Sequence, residues 1–166
     1  NRSTFERELK SEIERSAHSK VAVLFIDVDD FKFINDRFGH SVGDEVIKYV
    51  AGCIKQRVKG SGFAGRFGGD EFVLCITDPK QIEEIESLSL DLIDELYEGY
   101  HSELANVSIN VKASIGIAFY PEHGDDSNKV VAAADEAMYF VKKNGKANYH
   151  IYQPEDSEME DLQHTL

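Results

Sequence analysis

Basic residues are scarce in this sequence. Its 166 residues hold 18 Lys and Arg against 31 Asp and Glu, a formal net charge of -13. That balance argues against a nucleic-acid backbone as partner. It also disfavours a polyanionic nucleotide unless a cation and a few placed lysines offset the local field. Any phosphate chemistry here therefore needs a metal. Cysteine is sparse too: Cys53 and Cys75 offer no paired framework and no zinc-like spacing. Each sits inside an apolar pattern, which reads as a buried thiol in a reducing compartment. No apolar run approaches the roughly 18–20 residues that span a bilayer, and no signal peptide opens the chain. A cytoplasmic domain without direct membrane contact is expected. The remainder is ordinary for one globular core, with 42% apolar and 30% charged residues.

The patterning gives the order of elements. Phe5, Leu9, Ile13 and Ala17 recur at four-residue steps, an amphipathic helix. Val21 to Ile26 runs apolar without alternation, as a strand covered on both faces would, and ends in Asp27-Val28-Asp29-Asp30. A short helix follows from Phe31. A longer one from Ser41 carries Val42, Val46, Tyr49, Val50, Cys53 and Ile54 on one stripe. Phe63 to Phe67 and Phe72 to Ile76, separated by Gly-Gly-Asp-Glu, read as a hairpin whose glycines supply the angles of a tight reversal. Pro79 opens the next helix, with Ile82, Ile85, Leu88, Leu92, Ile93 and Leu96 on its apolar face. Strict alternation from Val107 to Phe119 predicts one half-buried strand. Asp126 or Ser127 caps a last long helix that ends at Asn144-Gly145, and a short strand covers Tyr149 to Tyr152. This order predicts an α+β fold, one mixed sheet with helices packed on it. The domain is expected over residues 1–153, with 154–166 as an acidic, disordered tail.

Three places could carry chemistry, and each also has a plain structural use. Asp27 and Asp29 point to one face of the strand end with the Val28 carbonyl between them, hard oxygen donors of the kind Mg²⁺ takes. Equally, Asp30 could cap the helix at Phe31 while the other carboxylates are merely solvated. At the hairpin tip, Gly68 and Gly69 let a backbone approach a ligand, and Asp70 and Glu71 can bind metal or accept a proton. A polar tip alone would look the same. Asn35 and Asp44 match the guanine edge, an amide for its acceptors and a carboxylate for its N–H donors. Asp44 could instead only complement its helix dipole, as Lys142 and Lys146 could at the end of the last helix.

Taken together, these residues resemble a known family, the GGDEF domains of bacterial diguanylate cyclases. Asn1-Arg2 is similar to the end of the family's opening motif. Phe25-Ile-Asp-Val-Asp-Asp-Phe-Lys-x-Ile-Asn35-Asp36, running on to Gly39-His40 and Gly43-Asp44, resembles its first long signature. Arg66-Phe-Gly-Gly-Asp-Glu-Phe72, Ala113 to Ala118, and Ala134-Asp135 through Lys142 to Gly145-Lys146 resemble the others, in the same order. The resemblance implies a palm-like sheet, ferredoxin-like and similar to class III nucleotidyl cyclases, central and mainly antiparallel. It implies a domain condensing two GTP into cyclic di-GMP with release of two pyrophosphates. Mg²⁺, with Mn²⁺ as an alternative, would be held by Asp27, the Val28 carbonyl and Asp70. Asp70 or Glu71 would help deprotonate the ribose 3′-OH. Asn35, His40 and Asp44 would contact chiefly guanine; backbone at Asp30-Phe31 with Lys32, Lys142 and Lys146 would hold phosphates. The family usually carries Arg where Lys146 stands, so weaker GTP binding is expected.

Each domain would hold one GTP, so a second GGDEF copy is the implied partner. The chain looks like a catalytic fragment of a larger signalling protein whose N-terminal region dimerises and regulates it, with membrane anchoring of that protein left open. Many members carry an inhibitory product site, Arg-x-x-Asp, ahead of the Gly-Gly pair; here the window reads Lys59-Gly60-Ser61-Gly62 and the site is absent. The rival readings are a catalytically silent GTP-binding module and a cyclase with relaxed base choice, against which Asp44 argues.

Overall fold

A computed structural model describes residues 1–15 and 20–157. Five strands form one sheet in the order β2 (Gly62–Arg66), β3 (Glu71–Thr77), β1 (Val21–Val28), β6 (Ala113–Tyr120) and β7 (Tyr149–Ile151). All neighbours are antiparallel except β6 and β7, which run parallel. The expected mixed, mainly antiparallel α+β sheet is therefore present.

Side-chain alternation sends the two faces of this sheet to two cores. Leu24, Ile26, Leu74, Ile115 and Ile117 face α2 (Phe31–Phe38), α3 (His40–Val58) and α4 (Ile82–Glu98). Val23, Phe25, Val73 and Cys75 face α1 (Arg2–Arg15) and α5 (Ser127–Lys143). α1 buries Phe5, Leu9 and Ile13; Ala17, expected on the same stripe, lies outside the described residues. Asp126 caps α5 by accepting from the Lys129 amide at 2.8 Å. Cys75 is buried, and desolvation pushes its thiol above the ordinary range; Cys53 is only half-buried.

Several expectations need correction. The alternating run from Val107 is two strands: β5 (Val107–Ile109) pairs with β4 (Tyr100–Ser102) in a separate small sheet, and β6 starts at Ala113. Nor is β6 half-buried. Its small residues are small because α5 lies directly on them: a Cβ on Gly116 would sit 2.0 Å from the Ala134 carbonyl oxygen and 2.1 Å from the Met138 nitrogen. α4 begins at Ile82 rather than Pro79, and Ile82 itself is exposed, while Ser89 is buried by bonding back to the Ile85 carbonyl. Residues 154–157, expected in a disordered tail, form a helical turn. There the buried Asp156 accepts from the Gln153 amide at 2.8 Å and meets His150 at 3.1 Å. No helix among the described residues is long and apolar enough to cross a membrane.

Candidate active site

The end of β1 and the β2–β3 turn come together through backbone. The Val28 amide donates to the Asp70 carbonyl at 3.1 Å, and Asp27 pairs with Glu71 in the ladder. Asp27 continues the Val23, Phe25 face, so it lies on the α1/α5 side of the sheet. Beside Glu71 on that side is a cavity of about 360 Å³, lined in part by Arg2, Phe25, Phe67 and Asn128. The turn itself is not held by glycine angles. Neither Gly68 nor Gly69 has a positive φ. Instead Arg66 clamps it, donating from Nε to the Gly68 carbonyl (3.0 Å) and from its terminal nitrogen to that of Gly69 (2.7 Å). Phe67 anchors the base of the turn against Phe5 and Phe25. What Gly69 does supply is room: a Cβ there would meet nothing within 4 Å.

The Asp27 carboxyl is pushed up to about 7: burial is the largest cause, Lys142 opposes it, and the negative Asp70 and Glu71 add to the rise. Its Oδ1 is buried with no hydrogen-bond partner; the Lys142 ammonium is 3.6 Å away. An under-partnered carboxylate oxygen beside two further acids suits a hard divalent cation. Asp27, the Val28 carbonyl and Asp70 could supply two carboxylates and a carbonyl, a set that leaves Mg²⁺ its waters and phosphates. Among the described residues there is no group of three or more His, Cys, Asp or Glu side chains placed to hold a metal. A protein-only cage of that kind is not what this ion needs.

The bland reading of the strand-end acids is overturned. Asp30 does not cap α2: its φ is 56°, its side chain makes no cap bond, and its carboxylate accepts from Lys146 at 2.8 Å. The Phe31 and Lys32 amides therefore start the helix without a capping side chain, an arrangement that favours an anion. Nor is Asp29 solvated. Its side chain is fully buried, accepting from Ser114 Oγ (2.7 Å), Lys142 Nζ (2.6 Å) and the Ala147 amide (3.0 Å). These bonds help hold a strained segment: Gly145, Lys146 and Ala147 all have positive φ, which for the two non-glycines costs roughly 1–2 kcal/mol each.

The other half lies across the sheet end. Asn35, on the second turn of α2, packs against Gly43 in α3, where a Cβ would sit 1.8 Å from Asn35 Oδ1. That oxygen, like Asp27 Oδ1, is buried without a partner. Gly43 thus brings Asn35 beside Asp44, which is exposed, as are His40 and Lys32; Phe31 is half-buried with its ring edge toward Gly43. Of the expected residues, then, the structure gathers Asp27, Val28, Asp70, Glu71, Lys142 and Lys146 on one side and Phe31, Asn35 and Asp44 on the other.

A family model described as "Diguanylate cyclase, GGDEF domain" matches residues 1–148. The chain belongs to this GGDEF family. Its relatives include the signaling protein YkoW of Bacillus subtilis, 34% identical over 84% of this chain. Another is the cyclic di-GMP phosphodiesterase PdeR of Escherichia coli, 30% identical over 93%. The matched regions make up only 17% and 23% of those two proteins, so the chain spans about a fifth of their length. Among solved structures, the GGDEF domain of TpbB (YfiN) from Pseudomonas aeruginosa superposes with a TM-score of 0.88 at 32% identity, covering 92% of this chain and 96% of that one. In the sequence of this GGDEF domain Asp29 reads as a strand-end oxygen donor beside Asp27 or as a solvated acid; the structure instead places it just past the end of β1 with its carboxylate taken up by Ser114, Lys142 and Ala147. Its partners lie 85 and more positions away, beyond the reach of local pattern. The window at Gly62 is also more constrained than it looks, since a Cβ there would lie 1.8 Å from the Cys75 carbonyl oxygen.

Proposed function

We propose that this GGDEF domain is a diguanylate cyclase domain, joining two GTP into cyclic di-GMP with release of two pyrophosphates. One observation carries the reading. Of three buried, unpartnered side-chain acceptors among the described residues, two are Asp27 Oδ1 and Asn35 Oδ1, one on each side of the same sheet end. A ligand needing a cation at one end and offering hydrogen-bond donors at the other accounts for both. GTP with Mg²⁺ is such a ligand, and the family match agrees with it.

In this reading Asn35 and Asp44 bind guanine, and the nucleotide crosses the end of β1 to the α5 side. The Phe31 and Lys32 amides, Lys142 and Lys146 neutralise and orient the triphosphate. Asp27, the Val28 carbonyl and Asp70 hold the divalent ion, which supplies charge neutralisation and a more acidic 3′-OH when bound. Asp70 or Glu71 accepts the 3′-OH proton; the oxygen bonds to the α-phosphorus of the other GTP, and the bond to pyrophosphate breaks. Two such steps close the ring. Because one domain holds one GTP, the partner is a second copy placed face to face, brought there by other parts of a longer cytoplasmic signalling protein.

The test is incubation of a covalently dimerised form of the chain with GTP and Mg²⁺, with cyclic di-GMP and pyrophosphate measured. Asp70→Ala should lower product formation by at least about 10³-fold. A second reading, a silent GTP-binding module, is favoured by the match to PdeR, whose name is that of a phosphodiesterase. GTP binding without turnover in the dimerised form would select it.

A further inference from the structure

We propose that Asp29 is a positioning residue for the phosphate end of the nucleotide, acting through Lys142 and the turn at 145–147. The proposal rests on the GTP reading above and deepens it. Asp29 follows the strand's last residue, and its amide is fixed by the Lys112 carbonyl at 2.8 Å. Its carboxylate then gathers one donor from each of three places: Ser114 on β6, Lys142 near the end of α5, and the Ala147 amide beyond it. Such a fully bonded, buried carboxylate has a fixed position, so the groups it holds are fixed too.

The Lys142 ammonium has three donors, and one is committed to Asp29 at 2.6 Å. The Asp27 carboxylate also lies near it, at 3.6 Å. Asp29 therefore holds Lys142 back from Asp27. It keeps the ammonium from settling against the carboxylate proposed for the metal, and leaves its remaining donors for phosphate oxygens. The Ala147 amide bond does the same for the backbone that carries Lys146. None of these contacts reaches α2 or α3, where Asn35 and Asp44 stand. The role thus belongs to the phosphates and not to the base.

That separation gives the experiment. Binding of α,β-methylene-GTP and of guanosine is measured by calorimetry with Mg²⁺ present, for the wild-type chain, Asp29→Asn, Lys142→Met and the double variant. Asp29→Asn should weaken the GTP analogue about tenfold while changing guanosine less than about twofold. Adding Asp29→Asn to Lys142→Met should cost clearly less than the roughly tenfold it costs alone, because part of its effect passes through Lys142 and only the part through the Ala147 turn remains. Equal losses for both ligands would reveal general damage and overturn the proposal, as would fully additive losses in the double variant. If Asp29→Asn does not fold, Ser114→Ala replaces it and should weaken the analogue about threefold with guanosine unchanged; no difference between ligands there overturns the role. A wild-type chain that binds neither ligand ends the GTP reading and this inference with it. Wild-type binding matched by Asp29→Asn ends only the inference.

Discussion

On the α5 side of the sheet end, Asp27 and Asp29 share Lys142, and Asp30 holds Lys146. On the α2–α3 side, Asn35 Oδ1 is buried without a partner and Asp44 stands exposed. The difference follows from what burial costs. A covered charge without a counter-ion costs several kcal/mol, whereas a neutral amide oxygen without a donor costs about 1–3 kcal/mol. The α5 side is therefore already assembled from ion pairs, and under the proposed reading a metal–triphosphate would enter among them. On the α2–α3 side, a ligand would only add bonds, to a buried neutral amide and an exposed carboxylate. One end of the proposed site is preformed; the other is open.

The largest break in that comparison comes from Gly116. Adding a methyl group there forces α5 off the sheet, so Gly116→Ala should destabilise the chain by roughly 3 kcal/mol, read from the urea midpoint. Triphosphate binding should suffer more than guanosine binding, because Lys142 and Lys146 ride on α5 and its end. An unchanged midpoint would mean that α5 is not seated as described. On the open side, Asp44→Ala should lower affinity about tenfold for GTP and guanosine alike. A loss confined to GTP would place Asp44 with the phosphates instead.

A subtler contrast concerns pH. Asp27 is raised from 3.8 to about 7 in the folded chain, so between those values the native state holds more protons than the unfolded one. Stability contributed by this group then falls as pH rises through that window. Asp27→Asn, without added metal, should gain on the order of 1–2 kcal/mol at pH 8 and almost nothing at pH 4. Equal gains at both would show that the carboxylate is not strained by burial. Smallest of all should be the response to product: micromolar cyclic di-GMP should change turnover by less than about twofold. Inhibition that Lys59→Ala removes would restore the product site to this window.

Local pattern revealed much of the architecture and both acidic signatures, because a buried strand ending in acids and a hairpin tip are short-range features. It failed where the deciding contact was distant. Asp29 reads in the sequence as a metal donor beside Asp27 or as a solvated acid, and in the structure Ser114, Lys142 and Ala147 close around it. Period-two alternation ran from Val107 to Phe119 without a visible seam, yet β5 left to pair with β4. The small residues of β6 suggested a solvent face, when their size records the helix lying on them. Gly68 and Gly69 promised special backbone angles; Arg66 holds the turn, and the glycines leave room.

Gly62 bears on what the window ahead of the turn can hold. With a Cβ 1.8 Å from the Cys75 carbonyl, no side chain enters at 62 while β2 and β3 keep their register. Installing an Arg-x-x-Asp in this window therefore takes more than two substitutions, since the strand pair must first loosen: backbone packing, and not only the missing side chains, keeps this window closed.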